Sequence, residues 1–368
     1  MSKEQIIVGI THGDINGIGY EVIIKTLMDN RIMEDCTPVV YGSPKVAAYH
    51  RKALDISNFS FNNIREVSEA NHKRANIINC LNDNVRVELG KSTAMAGESA
   101  VIPLEAAVKD LSDNKIDVIV TAPVNKYNIQ SKSFNFPGHT EFLKHRFNVD
   151  DVLMLMVADN LRIGVITGHI PLRKVPESLS EESIINKIKI MESSLSIDFG
   201  IRRPRIAVLS LNPHSGDTGL LGNEEIEIII PAIKRASEEG ILAFGPYPSD
   251  GFFGSGAYMN FDGILAMYHD QGLTPFKALA LGEGVNFTAG LPVIRTSPSH
   301  GTAYEIAGQG VASESSFRKA LYLACDIFRN REMHNEITVN PLGHHDLDTR
   351  TEIPDELPPD DENTNDTV

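Results

Sequence analysis

Cysteine is scarce. Three occur in 368 residues, at Cys36, Cys80 and Cys325, far apart and never in C-x-x-C spacing. Such usage excludes a disulfide framework and fits a reducing cytoplasm, with the thiols acting as small buried or half-buried hydrophobes. Long apolar runs are absent too. None reaches the roughly 18 residues that a bilayer span needs. The first residues, MSKEQIIVGI, lack a basic segment followed by an apolar one, so no secretory signal is expected and the chain reads as cytoplasmic. Basic charge is in deficit, with a formal net charge of −15 and no basic stripe. That argues against a nucleic-acid surface, although a small anionic substrate needs only a local cluster of cations. Two nucleotide fingerprints are missing: no G-x-G-x-x-G follows a strand, and the Gly-rich turn THGDINGIG is not Walker A because it has no G-K-[ST]. No fixed-period repeat and no Pro/Gly/Ser-rich linker divides the chain, so two domains would have to share a sheet or exchange strands.

Short runs rich in Val and Ile alternate with amphipathic stretches. Strands are expected at 5–10, 37–41, 116–122, 152–158, 161–167, 205–212 and 263–269, and helices at 19–28, 98–112, 181–196, 224–239 and 315–329. Near-continuous apolar strands with helices between them predict an α/β fold with a mostly parallel sheet covered on both faces. From Asp346 onward nine acidic residues stand against one arginine, which contributes −8 of the net charge. With its prolines and few apolar residues, that segment reads as disordered.

Polar and glycine residues gather at the expected strand ends, in THGDINGIG, TAPVNK, TGHIPLRK, NPHSGDTG and YHDQGLTPFK. Ligands of open α/β sheets bind at such ends. Three of these loops carry a histidine, His169, His214 and His269. Imidazole is a common ligand of borderline divalent cations, and three ligands with open positions describe a catalytic metal site. Unrelated surface histidines are the alternative. THGDINGIG is open to two readings, a phosphate-cradling turn or a Gly-rich turn braced by Asp14. In FPGHTEFL, His139 and Thr140 precede a helix, either to bind an anion or, with Glu141, to cap it. Lys277, Asn286 and Arg295 fall close together and suit a phosphate or carboxylate. The stretch from Asn286 to Gly310 reads as too polar for a core strand. Its His300-Gly301-Thr302-Ala303 turn permits close backbone approach to a nucleotide or simply caps a helix.

Taken in order, GDINGIGYE, TAPVNK, FPGHTEFL, TGHIPL, NPHSGD, YHDQGLTPFK and NFTAGLPVIRTSPSHGTAYEIAGQG resemble the 4-hydroxythreonine-4-phosphate dehydrogenase family. The blocks cover nearly the whole chain before the acidic segment. The resemblance implies an isocitrate/isopropylmalate dehydrogenase-like fold of two α/β/α domains with the active site in the cleft between them. The first domain would comprise residues 1–128 plus 305–342, the second 129–304, and a disordered acidic tail 343–368. It also implies one divalent metal (Zn, Mg, Mn or Co) on His169, His214 and His269, at the interface of a homodimer. His139, Thr140, Lys277, Asn286 and Arg295 would bind substrate. NAD, with NADP as the alternative, would lie against His300, Gly301, Thr302 and Ala303. Departures from the family pattern are Ile15, Asn16 and Tyr20 in the first block, Ser299 and Glu305 where the family favours Asp, and Gly251 where it favours Thr.

The activity so implied is metal-dependent oxidation of 4-phosphooxy-L-threonine to a β-keto acid. That acid decarboxylates to 3-amino-2-oxopropyl phosphate, on the way to pyridoxal 5'-phosphate. Lys277 and Asp250 are the candidate bases by charge type. Sister branches of the family act on 4-phospho-D-threonate or 4-phospho-D-erythronate. Two other classes compete: a phosphohydrolase using the same histidines, and a non-catalytic phosphometabolite binder.

Overall fold

The structure is a computed structural model that describes residues 5–131 and 134–340. The expected disordered segment from 343 onward lies outside them. Among the described residues twelve strands are formed: β1 (Ile6–Thr11), β2 (Cys36–Gly42), β3 (Asn62–Ile64), β4 (Asn76–Asn79), β5 (Val118–Thr121), β6 (Leu153–Ala158), β7 (Leu161–Thr167), β8 (Ile206–Leu209), β9 (Ala243–Tyr247), β10 (Gly263–Tyr268), β11 (Val285–Ala289) and β12 (Ile294–Pro298). They make one sheet in the order β3-β4-β2-β1-β5-β12-β11-β6-β7-β10-β8-β9. The chain is therefore a mixed α/β protein built on a single large sheet.

Both flanks of the sheet are parallel, and the centre is not. The antiparallel pairings are β12–β11, β11–β6 and β6–β7. Connection length explains the difference. Asp159 and Asn160 alone join β6 to β7, with Asp159 in the left-handed region (φ 47°) that tight hairpins require. Parallel neighbours need longer crossovers, which the helices supply. Two of these are Gly19–Leu27, between β1 and β2, and Ile230–Glu238, between β8 and β9. Helices on both faces bury β1, β2, β5 and β8 almost completely, in keeping with their unbroken apolar runs.

Two segments depart from the sequence reading. The stretch judged too polar for a core strand forms β11 and β12, at the centre of the sheet. Every residue of β12 is buried, Arg295, Thr296 and Ser297 included. Burial is tolerated because the polar atoms are partnered. Thr296 Oγ1 donates to Ala320 O at 2.7 Å, and Arg295 donates from Nε and Nη2 to Thr121 Oγ1 at 3.1 and 2.7 Å. Second, the YHDQGLTPFK loop is a helix, His269–Ala280, that places Lys277 two turns from His269. Its glycine and proline hid a helical period that begins at the strand end.

Candidate active site

A cleft of about 300 Å³ opens where β5, β7, β10 and β12 end and where β6 and β11 run antiparallel. Much of its lining comes from the carboxyl ends of β5, β7, β10 and β12, where open α/β sheets bind ligands. Its charged walls are one-sided. Lys126, Lys277, Arg295 and the histidines His139, His169, His269 and His300 line it, and no Asp or Glu does. Ser299, where the resemblance implied an aspartate, is part of that wall.

Arg295 forms the floor. It is 4 % exposed and makes no ion pair among the described residues. Its hydrogen bonds go to Thr121 Oγ1, to Thr288 Oγ1 at 3.4 Å and to His139 Nδ1 at 3.4 Å. Burial lowers its pKa to about 10, with Glu141 opposing, so the guanidinium keeps its charge at neutral pH. A buried cation without a carboxylate is costly, and an anionic ligand removes that cost. His139 is held neutral, its pKa pushed well down by desolvation and then by Arg295 and Lys126. As the acceptor for Arg295 it carries its proton on Nε2. Asn286 faces the same space, and its Oδ1 is buried without a partner.

His169 and His269 stand together, ring centroids 5.4 Å apart. His269 Nδ1 lies 2.7 Å from Asp270 Oδ1. A neutral ring donating there presents Nε2 as a lone pair, the form that binds a metal. Lys126 Nζ lies 3.0 Å from His169 Nε2 and donates to it. Desolvation, then Lys126 and His269, lower the pKa of His169 and keep it neutral. The pKa of Lys126 is itself lowered, chiefly by desolvation, against the pull of Glu141 and with the help of Arg295. His214 does not join them. It is exposed, outside the cleft lining, in a turn whose residues His214, Ser215, Gly216, Asp217 and Thr218 are all left-handed. Four non-glycine residues in that region store strain, as functional turns do. Within one chain, no three His, Cys, Asp or Glu side chains among the described residues are placed to hold a metal.

The His300–Ala303 turn closes one end. His300 Nδ1 donates to Gly301 O at 3.1 Å, and its buried Nε2 has no partner. A Cβ on Gly301 would meet nothing within 4 Å, so the backbone there is open to a ligand. The turn rests on the first Gly-rich loop. Ile18 N donates to Thr302 O at 3.0 Å, and a Cβ on Gly17 would lie 2.6 Å from that oxygen. Of the two readings of THGDINGIG, the brace holds. Asp14 is buried and accepts from Tyr304 Oη at 2.6 Å, Asn128 Nδ2 at 2.8 Å and Asn16 N at 2.8 Å. The unusual Asn16 ties down 88–93, accepting from Glu88 N and donating to Lys91 O and Thr93 Oγ1. Ile15 and Tyr20 are fully buried.

The cleft thus unites His139, His169, His269, Lys277, Asn286, Arg295, His300 and Gly301. It leaves out His214, Asp250, Thr140, Thr302 and Ala303. Thr140 follows His139 in the first helical turn, and neither it nor Glu141 caps that helix, whose N-cap is Gly138. Asp250 is exposed in the helix Ser249–Gly254, and it does not meet the cleft of its own chain. Lys126 was missed. It closes TAPVNK, a strand-end block, and a lysine at such an end was the available signal.

Comparison with known proteins comes down on one family. The family described as pyridoxal phosphate biosynthetic protein PdxA matches residues 34–324. The chain is 57% identical over 344 residues to the 4-hydroxythreonine-4-phosphate dehydrogenase of Bacteroides thetaiotaomicron, covering 93% of this chain and 94% of that one. It is 39% identical over 339 residues to the D-threonate 4-phosphate dehydrogenase of Cupriavidus necator, covering 90% of this chain and 100% of that one. Among solved structures, a 4-hydroxythreonine-4-phosphate dehydrogenase from Klebsiella pneumoniae superposes with a TM-score of 0.77 at 34% identity, covering 88% of this chain and 100% of that chain.

Proposed function

This chain belongs to the PdxA family and is an oxidoreductase, and from that premise we propose that it oxidises 4-phosphooxy-L-threonine with NAD(P) and a divalent cation. The observation that carries the reading is the cleft itself. Three cations and four histidines, with no carboxylate among them, match a substrate that bears both a phosphate and a carboxylate. Arg295 and Lys126 grip the anionic ends, and Asn286 orients the substrate through its unpartnered Oδ1. His139, neutral and locked by Arg295, offers its Nε2–H as a donor.

His169 and His269 would hold the cation, since their rings stand 5.4 Å apart on one wall of the cleft, with Lys126 giving up its hydrogen bond to His169 Nε2 to the cation. The His300–Gly301 turn, with its orphaned Nε2 and open backbone, would receive the nicotinamide end of the cofactor. When bound, the cation lowers the pKa of the substrate hydroxyl and the nicotinamide accepts the hydride, while the oxidised β-keto acid loses carbon dioxide. The proton leaving the hydroxyl needs an acceptor, and Lys277 is the candidate that lines the cleft; in that role it acts as the free amine and leaves the anionic ends to Arg295 and Lys126. Asp250 takes that role only if a second copy brings it in.

A second copy is part of the proposal. His169 and His214 are both exposed in the single chain, and each is followed by exposed apolar side chains: Ile170 (39%) and Leu172 (69%), Leu220 (77%) and Leu221 (44%). Apolar surface around a would-be ligand supports a homodimer in which His214 of one chain completes the cleft of the other.

The test is NADH or NADPH formation with 4-phosphooxy-L-threonine, 4-phospho-D-threonate and 4-phospho-D-erythronate, with metal present and then chelated. Turnover of the amino acid above the two sugar acids, lost on chelation, is expected. Turnover of the sugar acids alone would move the chain to the branch of the Cupriavidus relative. Phosphate release without reduced cofactor would favour a hydrolase.

A further inference from the structure

Behind the cleft, across the β6–β11 strand pair, lies a larger cavity of about 630 Å³. The strand register sets the two back to back. Asn286 pairs with Met156 and Val285 with Val157. Successive side chains of a strand point to opposite faces. Asn286 and Met156 line the cleft, and Val285 and Val157 line the rear cavity. The opposite wall is one face of the helix Ser315–Thr338, with Lys319, Tyr322, Leu323 and Asp326 at helical spacing.

The charges of this cavity are nearly all spoken for. Each carboxylate in its wall has a cation: Asp159 with Lys319 at 3.0 Å, Asp198 with Arg331 at 2.6 Å, and Asp326 with Arg329 at 3.2 Å. Arg162 is different and forms no ion pair among the described residues. Its Nη1 reaches Asn160 O and Asp262 O only at 3.3 and 3.4 Å, and its buried Nε has no acceptor. The guanidinium lies 4.6 Å from the centre of the Phe199 ring, which fixes its plane. An oriented cation with unused donors therefore stands next to the apolar surface of Val157, Val285 and Leu323.

We infer that the rear cavity is a second ligand site, for a small amphipathic anion with a carboxylate or phosphate monoester on an apolar body. Arg162 takes the anionic group through its guanidinium edge, and the body packs between Phe199 and the helix. The volume is that of a small-molecule site. The carboxylates nearby, already neutralised, do not repel an anion. The site stands whatever the cleft in front of it turns over.

The test is calorimetric titration of the full chain, loaded with divalent metal. Phenyl phosphate and 3-phenylpropionate are the probes, and 3-phenylpropanol is the uncharged control. Saturable binding of at least one anion, one per chain, is expected, with the alcohol about tenfold weaker or absent. Arg162→Met should weaken the anion about tenfold or more, and Arg295→Met should leave its Kd within about twofold. Phe199→Leu and Arg162→Lys, which keep the charge but lose the stack or the fork, should each weaken it severalfold. These two decide the matter if Arg162→Met does not fold by circular dichroism. No saturable binding, an unchanged Kd in the Arg162 and Phe199 variants, or loss in Arg295→Met, which would mean binding in the cleft, would overturn the site.

Discussion

Arg295 is the residue on which the substrate reading turns. A buried guanidinium held by two threonine hydroxyls and a neutral histidine is incomplete without an anion. Arg295→Met should lower kcat/KM by on the order of a hundredfold or more, the loss of a charge-assisted bidentate contact of about 3 kcal/mol. Steady-state kinetics checks this, and a variant within threefold of the parent would remove Arg295 from the anion clamp. A different buried residue contributes to acid stability. His12 is fully buried, hydrogen-bonded through Nε2 to Ser99 O, and burial lowers its pKa to about 4. Its unfolded value lies near 6.5, so the unfolded chain binds the proton first as pH falls. Stability from this group is complete above about pH 6.5 and declines towards pH 4, by up to about 3 kcal/mol. Urea melts between pH 7 and 4 should show the decline, and His12→Gln should make it shallower, the desolvated His50 and His139 supplying the remainder. An equal slope in both proteins would mean that other groups set the acid limit.

Two elements form the end proposed to receive the cofactor, and they meet through a glycine. Gly17 is required because the carbonyl oxygen of Thr302 occupies the place a Cβ would take, 2.6 Å away. Gly17→Ala must displace that turn or its own loop, at a cost of about 1–3 kcal/mol. The KM for NAD(P) should rise severalfold while the KM for the phosphorylated substrate changes less, since Arg295 and Lys277 stand on other elements. A uniform change in both constants would show a general loss of fold rather than a displaced turn. The β11–β12 hairpin shows how an element can be misjudged from composition. Thr288, Thr296 and Arg295 look like loop residues until hydroxyl and guanidinium partners are found, and those partners belong to β5, β11 and the last helix.

For the molecule as a whole, the decisive question is whether one chain holds a complete site. His214 and Asp250 stay outside their own cleft, and the proposed dimer brings them to the partner's. Mixing His214→Ala with Arg295→Met, each inactive alone, tests this. A mixed dimer would keep one intact site, with Arg295 from one chain and His214 from the other. Random exchange should then restore about a quarter of the parent activity. Without recovery once subunit exchange is demonstrated by mass, His214 does not serve the neighbouring cleft.

The sequence by itself determined the local features. Apolar periodicity placed seven strands and five helices to within a few residues in most cases, because each pattern depends on neighbours in the chain. The clustering of His, Lys and Asn at strand ends marked the site, because those ends are where backbone turns free polar side chains from the core. Tertiary structure alone decided which of these residues share a space. Arg295 bonds to Thr121 across 174 residues of sequence because β12 inserts beside β5, and no local signal encodes that insertion. The same strand order brought Lys126 to His169 and left His214 facing solvent. Contacts of that range depend on the closure of the whole sheet. Residue type told what chemistry was available, and the fold chose which groups would meet.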